Sequence, residues 1–114
     1  MPSYMLLFKG SEDTTKSPAE MQAIVEKYMA WIRDLRAKNV YEAGDELAPT
    51  GRVLSKKNGS FVDGPFVETK ESVGGFFTVT AKNYDEAVAH AKGCPSLDTG
   101  GYVEIREIID HSQS

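Results

Sequence analysis

A chain of 114 residues with a net charge of −4 is one domain, large enough for a single core and too small for two. At 40% hydrophobic and 26% charged, its composition is that of an ordinary globular protein. Its lysines and arginines are scattered rather than striped, which argues against binding nucleic acid through phosphate neutralisation. No stretch approaches the roughly 18–20 apolar residues of a membrane-spanning helix, and the opening residues lack the basic start and apolar length of a signal peptide. Cys94 is the single cysteine, so no intrachain disulfide forms, in keeping with a reducing cytoplasm. Zinc-type Cys/His spacing and Gly-rich nucleotide loops are missing from the sequence, and no metal or cofactor is expected.

Tyr4 to Phe8 reads as a short strand, apolar on both faces and therefore central in its sheet. After a polar loop, Ser17-Pro18-Ala19-Glu20 fits a capping box with proline at the first helical position. Met21, Ile24, Val25, Tyr28, Trp31, Ile32 and Leu35 then recur at spacings of three and four, which predicts a helix from about Pro18 to Lys38. Asn39 suits the left-handed position that ends it. Val40 to Leu47 is ambiguous and is assigned as a strand. Arg52 to Ser55 and Ser60 to Asp63 flank Lys57-Asn58-Gly59, and Asn-Gly is a strong hairpin signal. Asp63-Gly64-Pro65 reads as a tight turn, followed by a charged run and a strand from Gly74 to Ala81. Asn83, with Glu86 three residues on, caps a second helix whose inner face is Tyr84, Ala87, Val88 and Ala91, with His90 outward. Gly93-Cys94-Pro95 ends it, and Cys94 reads as a packing residue. Tyr102 to Ile109 alternates strictly, with Tyr102, Glu104, Arg106 and Ile108 on one side.

The order strand, helix, strand, hairpin, strand, helix, strand suits an α+β, ferredoxin-like βαββαβ sheet with an inserted β-hairpin and both helices on one face. Such a sheet leaves its second face bare. Phe76, Thr78, Tyr102, Glu104, Arg106 and one set from the first strand would lie there, too apolar for open water and too polar for a sealed core. Pairing two such faces in a homodimer covers the apolar part and leaves a partly polar cavity.

The string from Asp63 to Glu71 resembles the DGPF signature of the YCII-related family. Similarity extends over nearly the whole chain, through Tyr4-Met5-Leu6-Leu7, Ser17-Pro18-Ala19-Glu20, Gly44-Asp45-Glu46-Leu47-Ala48-Pro49, Gly74-Gly75, Cys94-Pro95 and Val103-Glu104-Ile105-Arg106. The resemblance implies a single domain over residues 1–114 and a dimeric α+β barrel. It further implies either a small-molecule site with acid–base or elimination chemistry, or a non-catalytic ligand-sensing module linked to an extracytoplasmic-function sigma factor. The wider family has a proposed His–Asp pair. Its histidine position, four residues before an apolar residue and seven before a leucine, is taken here by Tyr28.

Several residues carry these expectations, each with a plainer alternative. Asp63 is a turn-former or a general base. Glu68, Lys70 and Glu71 are a solvated charge run, or a site in which Lys70 holds an anionic group while Glu68 accepts a proton. Glu104 and Arg106 satisfy one another inside the dimer cavity, or Arg106 clamps a ligand carboxylate or phosphate with Glu104 tuning it. Tyr28 is a core residue or a hydroxyl that orients the ligand. The expected partners are a second copy of the chain and an unidentified, anionic small molecule.

Overall fold

The structure is a computed structural model that describes residues 1–10, 17–64 and 73–112. Its strands are β1 (Ser3–Lys9), β2 (Tyr41–Glu46), β3 (Val53–Lys57), β4 (Ser60–Gly64), β5 (Val73–Thr80) and β6 (Tyr102–Ile108). The helices are α1 (Pro18–Ala37) and α2 (Tyr84–Ala91), and a short 3-10 turn spans Pro95–Thr99. Four strands form the main sheet in the order β2-β5-β1-β6. Every neighbouring pair is antiparallel. That order, with a helical crossover after β1 and another after β5, is the ferredoxin-like arrangement. β3 and β4 form a separate two-stranded sheet.

The period of two along β1 decides where the core lies. Tyr4, Leu6 and Phe8 are buried, while Ser3, Met5, Leu7 and Lys9 are only partly covered. The Phe8 ring lies 5.7 Å from Trp31 of α1, and the Tyr4 ring 4.9 Å from Tyr84 of α2, so both helices cover the same face. Phe77 and Val79 of β5 complete that face, with Leu35, Ala87 and Ala91 from the helices above it. The other face is open.

Helix α1 starts as the sequence dictates. The Ser17 hydroxyl accepts from the Glu20 backbone N–H at 3.2 Å, and the Glu20 carboxylate accepts from the Ser17 N–H at 3.2 Å. Ser17→Ala should cost about 1 kcal/mol in urea unfolding, the usual effect of losing such a cap. At the other end Asn39 adopts φ 60°. The predicted apolar stripe is only half used. Trp31 and Leu35 are buried, whereas Met21 and Val25 are exposed. Twenty helical residues extend about 30 Å, but the seven of β1 extend only about 23 Å, so the first turns overhang the sheet.

Helix α2 departs further from expectation. Ala87 and Ala91 are buried, but Tyr84 and Val88, assigned inward, are exposed. His90, assigned outward, has a side chain only 10% exposed, and its Nε2 has no hydrogen-bond partner among the described residues. The buried side of this short helix is centred on positions 87, 90 and 91 rather than 84 and 88. Two alanines let the helix lie low, so a residue on the flank toward α1 becomes covered as well. Trp31 Nε1–H donates to the His90 carbonyl at 3.1 Å and fixes that flank.

The hairpin turn is as read: Asn58 and Gly59 both adopt positive φ, 52° and 81°, the geometry of a two-residue hairpin loop. The second hairpin strand, read as Ser60 to Asp63, runs one residue further as β4, so Asp63 and Gly64 are its last residues, and the rest of the expected turn, from Pro65, lies outside the described residues. The remainder of that string, with Glu68, Lys70 and Glu71, lies outside the described residues.

Candidate functional site

The open face of the sheet gathers the groups that strand alternation directs away from the helices. Ser3, Met5, Leu7 and Lys9 come from β1, Phe76, Thr78 and Thr80 from β5, and Tyr102, Glu104, Arg106 and Ile108 from β6. Pairing fixes their order: Leu7 lies beside both Phe76 and Glu104, Met5 beside Thr78 and Arg106, and Lys9 opposite Tyr102. Val103 and Ile105 pack on the core from the other side of β6, which confirms the alternation. A band of Met5, Leu7 and Phe76 is therefore flanked by the charges of one edge strand.

Those charges are organised around Glu104. Lys9 Nζ donates to Glu104 Oε1 at 2.9 Å, and Arg106 Nε stands 3.9 Å from the other carboxylate oxygen. The expected pairing of Glu104 and Arg106 is present as a long contact, and Lys9, a residue that sequence reasoning missed, is the nearer partner. One signal could have found it: Ser3, Met5, Leu7, Lys9 continues the alternation of the first strand by one step beyond Phe8. Arg106 keeps most of its fork in solvent, with a side chain 72% exposed. The three groups sum to one positive charge on a protein of net −4.

The hydrogen bond from Lys9 holds the Glu104 carboxyl below the usual carboxylate range. The charge of Lys9 acts in the same direction, partial burial opposes it, and Arg106 adds a smaller lowering. A carboxyl depressed in the folded state stabilises the fold above its unfolded pKa, about 4.3, and loses that contribution as pH falls through the folded value. Glu104→Gln should therefore be less stable than the parent at pH 7. Urea unfolding of the two should converge as pH falls below about 4. A difference that stays constant across that range would assign the effect to packing instead.

The other expected site residues lie elsewhere. Tyr28 is on the helical face, its ring 5.9 Å from Phe8 and its hydroxyl 3.8 Å from Cys94 Sγ. Cys94 is buried, as expected of a packing residue, with its sulfur 3.1 Å from Ser96 Oγ. The sheet thus separates Tyr28 from Glu104 and Arg106 within one chain. Asp63 stands on the hairpin, where its carboxylate pairs with Arg52. Glu68 and Lys70 fall outside the described residues. Among the described residues no group of three His, Cys, Asp or Glu has the arrangement of a metal site, and no helix is long and apolar enough to cross a membrane.

A groove of about 490 Å³ opens at the opposite end of β1 and β6, lined by Ser3, Glu107, Ile108, Asp110 and His111 among others. Of the expected site residues that lie among the described ones, Tyr28, Asp63, Glu104 and Arg106, none borders it. Glycine at position 44, within the Gly44–Pro49 string, has a steric basis, since a Cβ there would stand 2.8 Å from both the Phe76 carbonyl and the Tyr41 hydroxyl.

Comparison with solved structures finds a likeness to 5-chloro-2-hydroxyhydroquinone dehydrochlorinase from Burkholderia phenoliruptrix AC1100, in complex with 2,5-dihydroxybenzoquinone. The two are 16% identical, with 98% of each chain covered and a TM-score of 0.49. No curated protein matches the chain. The profile of the YCII-related domain matches residues 3–112, nearly the whole sequence, and the chain belongs to that family.

Proposed function

We propose that the open sheet face binds a small anionic molecule, and that two copies of the chain enclose it by pairing these faces. One observation carries the reading: Arg106 presents a largely solvent-exposed guanidinium beside an acid whose charge Lys9 already offsets. A planar fork in that state suits a carboxylate or phosphate, which it meets through two parallel hydrogen bonds. Met5, Leu7 and Phe76 supply the apolar floor that an aromatic or aliphatic body requires. Face-to-face pairing removes that floor from water and lowers the effective dielectric around the charges, which strengthens the contact with an anion. Lys70 adds a second cation in this reading, whereas Tyr28, packed on the helical side against Phe8 and Cys94, takes no part in it.

The same residue types suit proton abstraction followed by elimination, with Asp63 or Glu68 as the base. A sensing module that binds without turnover uses the same anion contact. The link to an extracytoplasmic-function sigma factor draws no support from the fold or from the comparisons.

Light scattering and a thermal-shift series test the proposal together. The protein should run as a dimer, at twice the 12.5 kDa of one chain. Benzoate and ring-hydroxylated benzoates at about a hundred times their Kd should raise the Tm by about 10 °C, equivalent to ~2.7 kcal/mol. Absence of a shift with every anionic probe, in a protein that is dimeric, removes the anion site. Turnover of a probe that shifts the Tm then separates enzyme from sensor.

A further inference from the structure

We propose that the β3–β4 hairpin is an exchange arm, which lies against the β2 edge of a second copy of this chain. The proposal rests on the face-to-face dimer reading and adds a contact that face pairing does not require. The arm belongs to a sheet of its own, and every residue of both strands is exposed except the partly covered Gly64. Leu54 is 69% exposed and Phe61 73%. An isolated two-stranded hairpin is marginal in water, and bulky apolar side chains on it call for a cover.

Surface area gives the scale of that cover. The chain exposes 8205 Å², against about 6,200 Å² for a compact monomer of its mass. Its radius of gyration is 16.3 Å, where about 13 Å is usual for this length. The excess of roughly 2,000 Å² is shared by the arm, the open sheet face and the overhanging start of α1, and it is more than the ~800 Å² that each partner contributes to an ordinary stable interface.

Charge identifies the occupant. The arm and its root carry Arg52, Lys56 and Lys57 against the single acid Asp63, which Arg52 already pairs. Lys56 lies over the Phe61 ring at 5.3 Å, and among the described residues neither Lys56 nor Lys57 has an ion pair. β2 is an outer strand whose Glu42, Asp45 and Glu46 are all exposed, and Asp45 and Glu46 likewise have no ion pair. An outer strand also presents unpaired backbone groups to an approaching chain. One chain thus holds a cationic, apolar arm and an anionic edge. Two-fold symmetry makes the contact twice, with each copy giving its arm and receiving the other.

Co-expression of a Lys57→Cys chain with an Asp45→Cys chain, treated with a short bis-maleimide, tests this directly. Native Cys94 is buried and contributes no background. A covalent heterodimer should form at a yield well above that of either variant alone. In parallel, Leu54→Ser/Phe61→Ser should raise the dimer Kd at least about tenfold, with far-UV circular dichroism unchanged. A dimer with no mixed cross-link above background, or with Kd unaltered by the double change, overturns the arm and leaves the face-to-face dimer standing. A monomer at every concentration overturns both.

Discussion

Trp31→Ala should lower stability by about 3–5 kcal/mol, a fall in Tm of roughly 12–20 °C for a domain of this size. The indole is buried where both helices meet the sheet. Its ring centroid lies 4.7 Å from Phe77 and 5.7 Å from Phe8, so truncation opens a cavity shared by α1, β1 and β5. It also removes the Nε1–H that donates to the His90 carbonyl at 3.1 Å, leaving that acceptor to backbone N–H groups at the end of α2, Gly93 N–H at 3.4 Å among them. The backbone cannot close over the void without moving α2, because Gly93 is already in contact with the indole. A Cβ at that position would sit 2.6 Å from Trp31 Cδ1. Trp31→Phe separates the two effects: it keeps most of the ring contacts and loses only the donor. It should recover more than half of the loss, since one hydrogen bond is worth about 1 kcal/mol net and the His90 carbonyl keeps backbone donors. Equal losses for the two substitutions would transfer the whole effect to the hydrogen bond. Because Trp31 is the only tryptophan, unfolding is followed by far-UV circular dichroism.

Local signals in the sequence identify the elements that obey local rules. The Ser17–Glu20 capping box, the left-handed Asn39 and the Asn58-Gly59 loop each depend on a few adjacent residues, and all three are present in the structure. Strand alternation likewise separated Glu104 and Arg106 from Val103 and Ile105. Tertiary context decided the rest. Period alone does not reveal that α1 is longer than the sheet beneath it, so the stripe predicts Met21 and Val25 in a core that does not reach them. The rotation of α2 depends on Trp31 reaching across from the other helix, a long-range contact that no window around His90 contains. The strand Ser60 to Asp63 is legible from the Asn-Gly loop, but its extension to Gly64 is set by pairing with Val53 across the hairpin.

The site shows the same division. Which residues share the open face was legible, because period two survives any register. Which charges meet was not, because that depends on the pairing of β1 with β6. Lys9 and Glu104 are ninety-five positions apart, and only the antiparallel register brings them to 2.9 Å. The consequence is chemical. With Lys9 as the nearer cation, Glu104 does not need Arg106, and the guanidinium remains available.

Arg106→Lys should therefore weaken the binding of an anionic aromatic probe such as benzoate by at least about tenfold, although the charge is kept. A lysine ammonium is a point charge that cannot reproduce two parallel hydrogen bonds from a planar fork, and it is more strongly hydrated. Stability should change by no more than about 0.5 kcal/mol, since the side chain is mostly in water and its contact with Glu104 is long, at 3.9 Å. Glu104→Gln is the companion substitution. It releases Lys9 from its acceptor and removes the negative charge beside Arg106, so probe affinity should rise or hold while the acid limb of the stability profile flattens. The pair of results separates recognition from registration of a dimer. If Arg106 only held two subunits in place, Arg106→Lys would shift the dimer Kd and leave the probe affinity per dimer unchanged. If Arg106 grips the ligand, titration calorimetry at dimer-saturating protein will show the affinity lost, the stoichiometry kept and the sedimentation profile unaltered. Unchanged affinity under those conditions takes Arg106 out of the site, and with it the argument for an anionic ligand on this face.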